Sequence, residues 1–256
     1  MLEIIRLYLN NPLENYNYII VDRKLNLAVA IDPLDVKKVY SVIQEQGLNL
    51  AAIFITHEHA DHYQGAKPLA DLTSAPIYAH HLNVGYLPQV DIALKEGDQV
   101  NLSEILTFDV LETPGHIKGH ISFFMPKTPD DISRIICGDT LFNAGVGNCR
   151  HHSADINALF RSIDRIKQLP QATLIYPGHD YILKNLAFAK TVDSNNQKIS
   201  ELMEIVQKQT PETRQITDLA LEAKINPFLR LNDIEQFNHQ SPIEVFNHLR
   251  QLRDKY

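Results

Sequence analysis

A chain of 256 residues, 44% hydrophobic and 21% charged, has the composition of an ordinary globular protein and the length for one large domain with or without a smaller appendage. A formal net charge of −7 without a long basic run argues against a nucleic-acid-binding surface, which needs clustered Lys and Arg. The two cysteines, Cys137 and Cys149, are too few for a disulfide scaffold and argue against a thiolate zinc site.

In chain order, residues 2–9, 16–21 and 27–32 read as short strands. Residues 35–46 have helical spacing, with Gly47 as the stop. Residues 50–56 form a nearly continuous apolar run, the pattern of a strand buried on both faces. A helix is expected over 63–72, strands over 107–112, 121–125, 134–137 and 173–176, and a helix over 154–169. No glycine follows Gly178, and glycine disfavours helix interiors, so the tail reads as helical. Pro211, Pro227 and Pro242 are expected to start or separate its helices. The expectation is a mixed α/β domain over residues 1–180 followed by an α-helical domain over 181–256. The first residues carry no basic stretch leading into an apolar one, and no run approaches the ~20 apolar residues of a membrane span, so a cytoplasmic monomer without membrane or nucleic-acid partners is the default expectation.

The strongest chemical signal is Thr56-His57-Glu58-His59-Ala60-Asp61-His62, at the end of the apolar strand. In extended backbone His57, His59 and Asp61 would point the same way. Three further segments have the same form, a strand ending in a glycine turn that carries one potential ligand: Thr113-Pro114-Gly115-His116, Cys137-Gly138-Asp139-Thr140 and Tyr176-Pro177-Gly178-His179. Imidazole and carboxylate together suit Zn, Fe or Mn. A lone His or Asp in a loop means little; four strand ends converging on one ligand chemistry point to a metal centre. Glu58 lies between two candidates without the spacing of a catalytic H-E-x-x-H helix and is assigned no role. His80, His81, His151, His152, His239 and His248 read as loop or surface residues.

T-H-E-H-A-D-H resembles the T-H-x-H-x-D-H signature of the metallo-β-lactamase superfamily, and the T-P-G-H, C-G-D-T and P-G-H segments resemble its remaining motifs in the same order. The resemblance implies an αββα sandwich with two divalent metal ions, zinc foremost, at one end. It implies His57, His59 and His116 around the first ion, Asp61, His62 and His179 around the second, and Asp139 bridging them, with Asp61 and Asp139 as the catalytic carboxylates. His120, in a G-H-x-S pattern, would buttress the site. Two such ions share a water and convert it to hydroxide near neutral pH, which can attack a carbonyl. A thioester suits the chemistry because a thiolate, with a thiol pKa near ~8.5, leaves without much help.

The remaining segments narrow the resemblance. Gly138-Asp139-Thr140-Leu141-Phe142, Gly178-His179-Asp180-Tyr181, Asn185-Leu186-Ala187-Phe188-Ala189, Asn226-Pro227-Phe228-Leu229-Arg230 and the basic stretch from Arg250 are similar to segments of the glyoxalase II (hydroxyacylglutathione hydrolase) family. The implied reaction is hydrolysis of S-D-lactoylglutathione, or a related hydroxyacyl thioester, to the hydroxy acid and glutathione. The resemblance places Tyr181, Arg250 and Arg253 against the glutathione moiety, where guanidinium groups could bind its carboxylates. Asn148 and Arg150 stand where the family has a basic residue and an aromatic that also face glutathione. The rival enzyme readings are a one-iron persulfide dioxygenase, whose relatives lack the N-P-F-L-R tail, and a lactonase or β-lactamase; a non-catalytic binding module would be expected to have lost ligands.

Overall fold

The computed structural model describes residues 1–127, 131–237 and 239–256. Six strands form the first sheet in chain order: β1 (Leu2–Tyr8), β2 (Tyr16–Asp22), β3 (Leu27–Ile31), β4 (Asn49–Phe54), β5 (Ile77–His80) and β6 (Ile92–Leu94). β1 to β3 run antiparallel, and β3 to β6 run parallel. The second sheet contains β7 (Gln99–Asn101), β8 (Thr107–Glu112), β9 (Ile121–Met125) and β10 (Arg134–Gly138). A small hairpin of β11 (Leu141–Phe142) and β12 (Gly145–Val146) follows, and then β13 (Leu174–Pro177), which joins the second sheet beside β10 in the order β13-β10-β9-β8-β7.

The period-2 alternation of the strands explains the layering. On β2, Tyr16, Tyr18 and Ile20 face Phe108, Val110, Phe123 and Ile136 of the other sheet, forming the core between the sheets. The alternate residues Ile19 and Val21 face outward, beneath α1 (Val36–Glu45) and a helical pair, α2 (Ala60–Tyr63) and α3 (Ala66–Thr73). Val39, Ile43, Leu69 and Ala70 are the helical residues that cover them. The outer face of the second sheet, with Phe124, Ile135 and Ile175, is covered by Leu159, Ile163 and Ile166 of α4 (Ile156–Lys167). The layers are therefore α, β, β, α. The tail adds α5 (Ile182–Val192), α6 (Gln197–Val206), α7 (Leu219–Ile225) and α8 (Pro242–Lys255). Phe188, Phe228, Phe246 and Leu249 of the tail share one core with the sandwich residues Phe124, Ile135, Cys137 and Leu141. Among the described residues no helix is long and apolar enough to cross a membrane.

Helix starts follow their caps. The side chains of Asp35, Asp155 and Asp218 accept backbone N–H groups at the starts of α1, α4 and α7. Pro242 opens α8 behind a Ser241–Glu244 capping box. The single helix expected over 63–72 is instead α2 and α3, with Gly65 at the break. At Gly65 the chain passes so close to the loop after β3 that a Cβ would lie 1.7 Å from the Pro33 carbonyl oxygen and 2.9 Å from that of Leu34. That loop begins with Asp32, which anchors the centre described below. Gly65→Ala is therefore expected to cost about 1–3 kcal/mol through forced backbone displacement and to lower the thermal midpoint by several degrees. A midpoint equal to the wild type's in a thermal melt would contradict the packing described.

Candidate metal centre

The four motif-bearing strands β4, β8, β10 and β13 end at one place. β4 ends at Phe54, the chain bends over residues 56–58, and His59 is the N-cap of α2, extended with φ −74° and ψ 140°. No extended run joins His57, His59 and Asp61, so the expectation that the three point the same way along one fails. Asp61 and His62 lie in the first turn of α2, and the helix turn carries them to a different group of donors. At the end of β10, Gly138 has φ +46°, and a Cβ there would lie 2.7 Å from Thr56 Oγ1 and 2.8 Å from His120 Nε2. Only glycine allows the chain to turn at that point and aim Asp139 inward.

Two groups of donors result. His57, His59, His116 and Asp139 form one, and Asp61, His62 and His179 the other. In the first, His59 Nδ1 lies 2.9 Å from His57 Nε2 and 3.0 Å from His116 Nε2. In the second, His62 Nε2 lies 3.2 Å from His179 Nε2 and 3.5 Å from Asp61 Oδ2. Asp139 stands between them: Oδ1 is 3.5 Å from His62 Nε2, and Oδ2 is 3.5 Å from His116 Nε2 and 3.2 Å from His179 Nε2. All seven residues singled out as metal ligands are thus brought together.

The far nitrogens of these rings explain the arrangement. His57 Nδ1 meets Thr56 Oγ1 at 3.0 Å, His62 Nδ1 meets the Asp32 carboxylate at 2.8 Å, His116 Nδ1 meets the Asn148 carbonyl at 2.8 Å and His179 Nδ1 meets the Leu13 carbonyl at 2.7 Å. Each directs a ring proton to an oxygen acceptor, which in the neutral ring leaves Nε2 with its lone pair facing the centre. Lone pairs at such separations repel one another unless a cation lies among them. The spacing is close to the ~3.3 Å edge of a tetrahedron with metal–nitrogen bonds of ~2.05 Å. Asp139 Oδ1 is buried and has no hydrogen-bond partner. The donor set therefore fits two divalent metal ions.

The electrostatics agree. Burial, followed by the neighbouring His62, holds His57 well below the ordinary histidine range; burial and His116 push His59 down to about 4. Burial opposes charge on Asp139, but His179 and His62 outweigh it and hold the carboxyl well below its usual range. Burial also opposes charge on His62, yet Asp139, Asp32 and Asp61 together lift it to about 9. A cation bound there would replace that proton. Asp32 is an anchor that the sequence reading missed: it accepts from Thr56 N at 2.8 Å and Thr56 Oγ1 at 2.7 Å as well as from His62. The register Ile31↔Phe54 between parallel β3 and β4 is the signal that places it beside Thr56. Asn15, also missed, donates to Asp61 Oδ2 at 2.9 Å. His120 lies outside both groups and accepts the Asp139 backbone N–H at 3.1 Å.

A cavity of about 130 Å³ adjoins the centre, lined by Phe142, Val146, Asn148, Arg150, Tyr181, Asn185, Arg250, Arg253 and Asp254. All five expected substrate residues line it. Tyr181 connects it to the centre by stacking on His179, with ring centroids 4.8 Å apart. Arg250 lines the cavity but is buried, and its guanidinium donates to the Val146 and Gly147 carbonyls at 2.9 and 3.0 Å and to Asp254 at 3.0 Å. Arg150 donates to the Asp254 carbonyl at 2.8 Å, whereas the hydrogen bonds of Arg253 among the described residues go to the neutral Asn185 Oδ1, at 3.2 and 3.4 Å, and its guanidinium lies 5.9 Å from the Phe188 and Tyr256 ring centroids. One expectation needs correction: His80 is not a surface residue. It is buried at the end of β5, where Nδ1 accepts from Leu82 N and Nε2 faces Glu112 at 3.1 Å.

The metallo-β-lactamase superfamily model matches residues 30–179, and the model of the hydroxyacylglutathione hydrolase C-terminus matches residues 180–256. The chain is 36% identical to a hydroxyacylglutathione hydrolase of Nitrosococcus oceani, with 98% of each protein covered. Among solved structures it is similar to ETHE1 from Myxococcus xanthus, with a TM-score of 0.70, 26% identity and 99% and 95% of the two chains covered. It is also similar to TTHA1623 in a di-iron-bound form, with a TM-score of 0.65, 28% identity and 88% and 99% covered. The αββα sandwich is thus a metallo-β-lactamase fold, and with its helical tail the chain belongs to the hydroxyacylglutathione hydrolase family.

Proposed function

We propose that this protein hydrolyses S-(2-hydroxyacyl)glutathione, with S-D-lactoylglutathione as substrate and D-lactate and glutathione as products. The observation that carries the reading is the position of Asp139, between two His-rich groups and beside a cavity lined by arginines. His57, His59 and His116 would hold one divalent cation, Asp61, His62 and His179 a second, and Asp139 both. Zinc suits this nitrogen-rich set best, with iron or manganese as competing loadings. When bound, the ions lower the pKa of a shared water and oppose the charge that develops on the carbonyl oxygen.

The chain's residues supply position. Asn15 and Asp32 hold Asp61 and His62 from behind, and the Leu13 and Asn148 carbonyls fix the His179 and His116 rings. The thiol half would lie in the cavity along Tyr181. Of the three arginines there, Arg150 and Arg250 share Asp254, which leaves Arg253 as the guanidinium suited to a carboxylate of glutathione. In this reading residues 1–180 carry the chemistry and residues 181–256 most of the contacts to the thiol carrier. A one-iron dioxygenase would need only one of the two groups, and both are complete.

Asp139→Asn is expected to lower kcat by more than tenfold, equivalent to more than ~1.4 kcal/mol of barrier, because a neutral amide cannot hold two cations at the distance that sharing one water requires. Retention of more than about a tenth of wild-type kcat in steady-state assays would refute the two-ion reading. Arg253→Glu is expected to raise KM for the glutathione thioester while kcat changes little, since the contact is the same in ground and transition states. The effect should shrink as salt screens the charge. An unchanged KM would remove Arg253 from the substrate site.

A further inference from the structure

We propose that Glu222 is a positioning residue for the substrate cavity: from the helical tail it holds the turn of the β11–β12 hairpin and so sets Phe142 and Val146 against the thiol half of the substrate. The inference rests on the thioester-hydrolase reading. Glu222, on α7, is fully buried. Its carboxylate accepts three hydrogen bonds, from Thr217 Oγ1 at 2.7 Å, Ala144 N at 2.9 Å and Asn226 Nδ2 at 2.9 Å. All three partners donate, which suits an ionised carboxylate. Burial pushes the carboxyl up to about 7, against the pull of these bonds. Burying such a group is costly, and an apolar residue would fill the space without that cost; what the carboxylate adds is direction.

The bonds converge on the hairpin turn. Ala144 has φ +57°, a strained conformation for a residue with a side chain, and its N–H points at Glu222. Asn226, from the same helix end, also donates to the Gly145 carbonyl at 3.1 Å, and Asn143 donates to Thr217 Oγ1 at 2.7 Å. The platform beneath is rigid, because Thr217 and Leu219 are bonded to the edge of β13 through Ile175 N→Thr217 O at 3.0 Å and Leu219 N→Thr173 O at 3.1 Å. The hairpin's exit is held separately. Arg250 grips the Val146 and Gly147 carbonyls, and the next carbonyl, of Asn148, accepts from His116. Loosening the turn should therefore disturb the cavity wall before it disturbs the donors around Asp139.

The test measures kcat and KM for S-D-lactoylglutathione, calorimetric affinity for free glutathione and metal content per chain in wild type, Glu222→Gln and Thr217→Val. Glu222→Gln is expected to raise KM and weaken glutathione binding by roughly threefold to tenfold, with kcat within about twofold and metal content unchanged. Thr217→Val should shift both in the same direction, and the double variant by less than the product of the two, because both changes break one network. A lowered melting temperature with KM and glutathione affinity unchanged would overturn the proposal, as would a fall in kcat with metal loss at constant KM. Should Glu222→Gln fail to fold, Thr217→Val decides by the same readouts. A wild-type protein that neither hydrolyses the thioester nor binds glutathione would defeat the functional reading itself, whereas an active wild type with unaffected variants defeats only the role of Glu222.

Discussion

Imidazole nitrogens held 2.9–3.0 Å apart with their lone pairs facing repel one another, and this chain holds His57, His59 and His116 so beside the carboxylate of Asp139. The arrangement persists because four of the five rings of the centre, all but His59, are tied by the far nitrogen to an oxygen: the Asp32 carboxylate, the Thr56 hydroxyl, or the Leu13 and Asn148 carbonyls. Those oxygens come from four different parts of the chain. The sandwich exists, in functional terms, to bring them together. Parallel pairing of β3 with β4 sets Asp32 beside Thr56, and parallel pairing of β10 with β13 sets Asp139 near His179.

The helical tail is tied into the same frame. Its aromatic residues complete the core on the outer face of the second sheet. Asp180, next to His179, pairs with Arg214 at 3.1 Å in a largely buried contact, and Arg214 in turn holds the carbonyls of Val206 and Gln209 at the end of α6. Arg250 grips the strand that leads to Asn148, whose carbonyl orients His116. The tail therefore touches both the cavity that would receive the thiol carrier and the supports of the centre.

The donors were legible because all follow strand ends: His116, Asp139 and His179 each directly behind a glycine, and His57, His59, Asp61 and His62 crowded into six residues after the apolar run of β4. The long strands were legible for a related reason: burial on two faces writes a continuous apolar run, as in β2 and β4. β5, β6 and β7 were missed because three or four residues are too few to show a period, and their burial is mixed. The split between α2 and α3 was missed because its cause, the Pro33 carbonyl against Gly65, is distant in sequence. The roles of Asp32, Asn15 and Glu222, and the burial of Arg250, depend likewise on partners that only the fold brings near. Residue type says what a side chain can do; which of its options is left open is decided by tertiary contacts.

Thioester hydrolysis by two cations shared through Asp139 is tested most directly by stripping the protein with a chelator and adding zinc back in measured equivalents while following hydrolysis of S-D-lactoylglutathione. The stripped protein is expected to have negligible activity, and recovery to reach its plateau at two equivalents per chain. Full activity at one equivalent, or in the stripped protein, would contradict it.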